Sequence, residues 1–171
     1  MTGIAGYPPG RHNLFKVTQM KYMKITTLTS ALLLACSIVW AAEEMHEVIV
    51  YKDPLCGCCS NWVSHLKDNN FSVTAIDVDN IATYKEKYGV PAHLGSCHTA
   101  VVNGYVIEGH VPAADISRLL KEKPDILGLT VPGMPVGAPG MEMGDRIDAF
   151  EVIAISKDGS TYTYTNYPVE P

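Results

Sequence analysis

The chain has 171 residues, with 13 Lys+Arg against 18 Asp+Glu, 47% hydrophobic and 18% charged. That length fits one domain with at most a small appendage. The apolar content excludes a disordered polyampholyte, and the presence of only one strongly apolar stretch excludes a polytopic membrane protein.

From the N-terminus, residues 1–19 hold Gly6, Pro8, Pro9 and Gly10 without periodicity and read as a disordered leader. Residues 20–41 place Lys21 and Lys24 ahead of a short apolar run and end on small residues. This is the pattern of a secretory signal peptide, with cleavage expected after Ala41. A retained membrane anchor is the alternative, although the apolar part is short for a full span. A lipoprotein attached at Cys36 ranks lower, because Ile38, Val39 and Trp40 stay apolar beyond it. A signal peptide set this far into the chain points to Met20 or Met23 as the true start.

Losing residues 1–41 removes four basic residues (Arg11, Lys16, Lys21, Lys24) and no acidic one, which leaves 9 basic against 18 acidic, a net of −9 over 130 residues. Such a surface repels nucleic-acid phosphates and favours cations. No nucleic-acid partner is expected, and no membrane once the signal is gone. Four cysteines remain, Cys56, Cys58, Cys59 and Cys97. Export places them in an oxidising compartment, where a disulfide or a metal is their usual fate.

Within 42–171, the run Glu47 to Tyr51 is a short β-branched strand ended by Asp53-Pro54. Residues Ser60 to Asn69 read as a helix with Trp62, Val63 and Leu66 on one face. Phe71 to Val78 alternates as a second strand, and Asn80 caps a helix that runs past Tyr84 to Tyr88 and stops at Gly89. Thr99–Val102, Asn103-Gly104 and Tyr105–Glu108 form a hairpin with a type I′ turn. Pro112 opens a last helix, in which Ile116, Leu119 and Leu120 make one stripe.

The order is strand, helix, strand, helix, hairpin, helix, which is that of an α/β thioredoxin-like domain. From Leu127 to Asp145, five glycines and three prolines surround Met134, Met141 and Met143. So many breakers predict a long loop without a helix or a central strand. Ala149–Ile155 and Thr161–Tyr167, around Asp158-Gly159, then read as an extra C-terminal hairpin.

Cys56-Gly57-Cys58-Cys59 falls where the first strand hands over to a helix. Cys56 and Cys59 have the C-x-x-C spacing of redox centres, in which a helix N-terminus stabilises thiolate. Cys58 and Cys97 add sulfurs beyond what a dithiol needs. Four-cysteine zinc sites usually use two separated C-x-x-C pairs, and iron–sulfur clusters usually need wider spacing. Copper(I) accepts two or three soft sulfurs and tolerates thiolate bridges, so crowded cysteines suit it best. The alternative is a Cys56–Cys59 disulfide with spectator thiols. Cys97-His98 sits just before the third strand, facing this cluster, and His98 either ligates metal or hydrogen-bonds locally. Met134, Met141 and Met143 are further soft donors, or else gap-fillers. His65, His93 and His110 show no partner in sequence and are read as surface or packing residues.

Several motifs recur in one order: Cys56-Gly-Cys-Cys59 with Trp62, Lys85 to Pro91, Ser96 to Val102, Gly104 to Pro112 and Val131 to Gly137. Together they resemble the CopG-like periplasmic copper-resistance proteins, long catalogued as a domain of unknown function, over about residues 47–167. The resemblance implies a thioredoxin-like periplasmic domain that binds copper ions through Cys56, Cys58, Cys59 and Cys97, and the crowded cysteine spacing suits copper(I) in a multinuclear, thiolate-bridged cluster. Met141 or a neighbour would be the auxiliary donor, with redox exchange between copper(I) and copper(II). Ala138 stands where serine is expected, which removes a hydroxyl tether from the loop. The leading expectation is copper(I) sequestration in copper resistance, with other copper-handling proteins as partners. A thiol–disulfide oxidoreductase using Cys56 and Cys59, and a docking copper chaperone, are its rivals.

Overall fold

The computed structural model describes residues 45–169. The leader, the signal peptide with its cleavage site and the Cys36 alternative lie outside the described residues. Within them the chain runs β1 (Glu47–Lys52), α1 (Gly57–Asp68), β2 (Ser72–Asp77), α2 (Ile81–Lys87), a 3₁₀ turn (Ala92–Leu94), β3 (His98–Val102), β4 (Tyr105–Glu108), α3 (Ala113–Glu122), β5 (Gly128–Thr130), β6 (Phe150–Ile155) and β7 (Thr161–Tyr167). The seven strands form one mixed sheet in the order β2-β1-β3-β4-β5-β6-β7. No described helix is long and apolar enough to cross a membrane.

Local chemistry explains most of these elements. Helix α1 buries Cys59, Trp62, Val63 and Leu66, the i, i+3, i+4, i+7 stripe of a helix lying on a core. Asn80 caps α2 by accepting the Ala82 N–H at 3.1 Å. The β3–β4 turn has Asn103 at φ 47° and Gly104 at φ 84°, the two positive values that a type I′ turn requires.

Strand alternation divides the sheet into two faces. Val50, Ala100 and Ile107 pair across β1, β3 and β4 and share one core with Trp62, Ile116 and Leu119. Tyr51, Thr99 and Glu108 pair on the opposite face, where Tyr84 of α2 and its C-cap residue Tyr88 stack against Tyr51 and Lys85 reaches Thr99. The C-terminal hairpin continues the sheet. It is latched to α3 by buried Asp115, which accepts the Tyr167 hydroxyl at 2.6 Å.

One expectation fails. The glycine- and proline-rich stretch is not free of strand, because Gly128-Leu129-Thr130 is β5, paired with β4 on one side and β6 on the other. Glycine serves here as a contact residue: a Cβ at position 128 would lie 1.8 Å from the Val106 carbonyl oxygen. β4 and β5 approach so closely only because that side chain is missing.

Candidate metal centre

β1 delivers the chain to a tight turn in which Asp53 accepts the Leu55 N–H at 2.7 Å through its carboxylate and the Cys56 N–H at 3.1 Å through its carbonyl. Cys56 then acts as N-cap of α1, its sulfur accepting the Cys59 N–H at 3.3 Å. Cys58 and Cys59 are the second and third residues of the helix. Three sulfurs therefore ring its positive end, where the backbone favours thiolate. Cys56 and Cys59 are joined as a disulfide, and Cys58 and Cys97 are free thiols.

The fourth sulfur comes from the residue before β3. Thr99 pairs with Glu108, so the same register places Cys97 opposite His110. Cys97 Sγ lies 3.9 Å from Cys58 Sγ, 3.3 Å from His98 Nδ1 and 3.1 Å from His110 Nε2. Cys58 Sγ is in turn 3.4 Å from Cys56 Sγ. The ligand atoms of Cys56, Cys58, Cys59 and Cys97 all fall within 4.8 Å of one another, as do those of Cys97, His98 and His110.

Burial, then the adjoining Cys58 thiol, pushes the Cys97 thiol up to about 12. Burial also holds His98 well below the ordinary imidazole value, with His110 and Lys85 adding to the effect. Burial lowers His110 as well, partly offset by its bond to Pro139. Both rings are accordingly neutral at neutral pH. His110 Nδ1 is 2.8 Å from the Pro139 carbonyl, which can only accept, so the proton is assigned to Nδ1. The Nε2 lone pair is thereby turned toward Cys97.

The methionine loop is pressed onto the start of α1. At Gly140 (φ +84°) a Cβ would sit 2.7 Å from the Trp62 nitrogen and 2.9 Å from the Cys58 carbonyl oxygen. Ala138, where a serine hydroxyl was expected as a tether, is fully buried and anchors the loop through its backbone, accepting the Met141 N–H at 2.8 Å. Met134 and Met143 are 55% and 64% exposed, and Met141 is half-buried. Exposure of the first two removes the gap-filling role considered for them.

The family model described as a protein of unknown function, DUF411, matches residues 94–141, the stretch from the 3₁₀ turn through Cys97, His98 and His110 to Met141. A solved structure titled "Copper resistance protein copG- Form 2" is 46% identical, with a TM-score of 0.71, over 73% of this chain and 100% of that one. A second, "Form 1", is 47% identical, with a TM-score of 0.70, over 73% of this chain and 99% of that one. The chain belongs to the CopG family of copper resistance proteins. No curated protein matches it.

The donor set of this CopG-family chain fits a soft ion. A metal about 2.3 Å from two sulfurs at a tetrahedral angle needs them about 3.8 Å apart, and a sulfur–nitrogen edge of about 3.5 Å. The Cys58–Cys97 separation of 3.9 Å and the sulfur–nitrogen separations of 3.1 and 3.3 Å lie within a few tenths of those values. Reduction of the Cys56–Cys59 disulfide would free two further sulfurs within 4.8 Å of these.

His110 corrects the sequence reading, which placed it with surface and packing residues. It is fully buried against Cys97. His65 does have a packing role, its Nε2 accepting the Ala113 N–H at 3.1 Å at the start of α3, and His93 is exposed. The signal for His110 was the hairpin register, which pairs it with Cys97 once the Asn103-Gly104 turn is recognised.

Proposed function

We propose that this protein sequesters copper(I) in the periplasm as part of copper resistance. Cys56, Cys58, Cys59 and Cys97 supply the thiolates. His110 and His98 supply nitrogen or tune Cys97, and Met141, Met134 and Met143 are auxiliary thioether donors. The convergence of four cysteine ligand atoms within 4.8 Å carries the reading. The titles of the two similar structures support copper as the ion, and the crowding of the sulfurs favours shared thiolates and more than one ion.

The chain's own residues would prepare the site in three ways. The start of α1 stabilises negative sulfur. The Pro139 carbonyl fixes the His110 tautomer. Burial keeps Cys97 protonated until a metal displaces its proton, so loading releases protons. Copper(I) is the cargo, and an external dithiol must first open the Cys56–Cys59 disulfide by thiol–disulfide exchange, giving up two electrons and two protons and becoming a disulfide itself. Anaerobic titration of the reduced protein with copper(I) tests the reading. At least one tightly held ion per chain is expected, and fewer would refute it.

A second reading, a thiol–disulfide oxidoreductase, is favoured by the Cys56–Cys59 disulfide at a helix N-terminus. It predicts insulin reduction that survives Cys58→Ser and Cys97→Ser. Loss of turnover in those variants would oppose it.

A further inference from the structure

Glu108, at the end of β4, is wholly buried on the sheet face opposite the main core. Its carboxylate accepts the Ser96 N–H at 2.5 Å, the Thr99 hydroxyl at 2.7 Å and the Lys85 ammonium. Ser96 and Thr99 immediately flank Cys97-His98. One side chain thus grips both ends of the dipeptide that brings the fourth sulfur and an imidazole to the metal centre.

The sheet alone does not place Cys97. The β1–β3 ladder ends at the Lys52–His98 pair, and Gly109 N–H donates to His98 O at 3.1 Å. Cys97 is the first residue beyond that support, so its position depends on how Ser96 is anchored. Ser96 is also held from the far side, its hydroxyl donating to the Gly133 carbonyl. It is packed so closely on Gly109 that a Cβ there would lie 2.5 Å from Ser96 Cβ.

Stability is a poor reason for such an arrangement. A buried ion pair must offset the desolvation of both ions, and apolar side chains of similar volume do as well or better. A carboxylate behind the ligands does suit a metal site, because partners that orient the ligating residues are worth about 10- to 100-fold in metal affinity.

We propose that Glu108, charge-balanced by Lys85, is the positioning residue that holds Cys97 Sγ within reach of Cys58. The copper consequence rests on the copper reading above; the geometric consequence does not. The test compares Lys85→Met/Glu108→Met, which removes the charges and all three bonds, with Lys85→Met/Glu108→Gln, which keeps a neutral acceptor for Ser96. Thr99→Val, a mild variant, removes only the hydroxyl's bonds to Glu108 and Lys85.

Two measurements are made on the reduced protein. One is copper(I) affinity, by competition with a chromophoric chelator under anaerobic conditions. The other is the rate at which diamide oxidises the Cys58 and Cys97 thiols to a disulfide in the metal-free protein, in a Cys56→Ser/Cys59→Ser background. Each disulfide formed reduces one diamide to its hydrazine.

The double-Met variant should lose about tenfold or more in copper affinity and form the Cys58–Cys97 disulfide at least about tenfold more slowly. The Glu108→Gln variant should stay within about threefold of wild type in both, and Thr99→Val should fall between them. A folded double-Met variant that matches wild type in affinity and cross-linking overturns the proposal. If that variant does not fold, wild-type values for Thr99→Val overturn it. A wild-type protein that binds no copper defeats the copper reading instead, and the cross-linking rates still decide the positioning role.

Discussion

Gly140→Ala tests whether the methionine loop is rigidly seated on the cysteine-bearing helix. The new methyl carbon would stand 2.7 Å from the Trp62 nitrogen and 2.9 Å from the Cys58 carbonyl oxygen. Both are backbone atoms of the first turns of α1 and cannot swing aside. The φ of +84° adds a separate penalty for any L side chain, roughly 1–2 kcal/mol. Overpacking a methyl group against fixed atoms adds roughly 1–3 kcal/mol. With the loop in place the loss is therefore about 2–5 kcal/mol, and at about 4 °C per kcal/mol Tm should drop by roughly 8–20 °C.

Gly144→Ala is the control. It has a similar positive φ (+64°) but nothing within 4 Å of the new Cβ, so it should show only the backbone penalty. Thermal unfolding of the reduced, metal-free protein measures both variants, and hydrogen exchange at Gly137 and Met141 shows whether the loop lifts instead. Lifting would cap the Tm loss, speed exchange at those amides and release the Pro139 carbonyl from His110. A Gly140→Ala protein with the Tm and the exchange of Gly144→Ala would refute the close seating of the loop.

Cys97→Ser removes one of four converging sulfurs, and copper(I) affinity in the same chelator competition should fall more than about tenfold; an unchanged affinity would confine the ions to the helix cysteines. Trp62, the sole tryptophan of 42–171, has its ring 4.4 Å from the His98 ring. Its fluorescence should be quenched in step with copper binding, and quenching that lags behind the titration would place the ions elsewhere. Burial lowers the imidazole values of His65 and His98. A base with a lowered folded value binds its proton more readily in the unfolded chain, so the stability it contributes is present above about pH 6.5 and is lost as pH falls below it. Each such histidine contributes at most about 1.4 kcal/mol per pH unit. Urea midpoints of the metal-free protein should fall between pH 7.5 and 5.5, with a shallower slope for His65→Gln; a flat profile would contradict the buried, neutral rings.

The local elements could be read from pattern because their causes are local. The stripe of Trp62, Val63 and Leu66, the Asn80 cap and the Asn103-Gly104 turn each depend on residues a few positions apart. The same holds for the clustering of Cys56, Cys58 and Cys59 on one helical turn. His110 could also have been found, since a two-residue turn forces the register that sets it opposite Cys97. Leu127–Asp145 was harder: its glycines read as breakers, yet Gly128 is needed because two strands meet with no room for a side chain.

From sequence alone came the donor chemistry, the four cysteines of 42–171 beside soft methionines, and the strand–helix junction that gathers three of those sulfurs. Tertiary structure decided the rest: the disulfide state of Cys56 and Cys59, the neutral tautomer of His110 against Pro139, and the grip of Glu108 on both flanks of Cys97. Those features depend on distances and burial between segments remote in the chain. A side chain's proton, partner and solvent access are set by whatever packs against it, and linear order does not specify that.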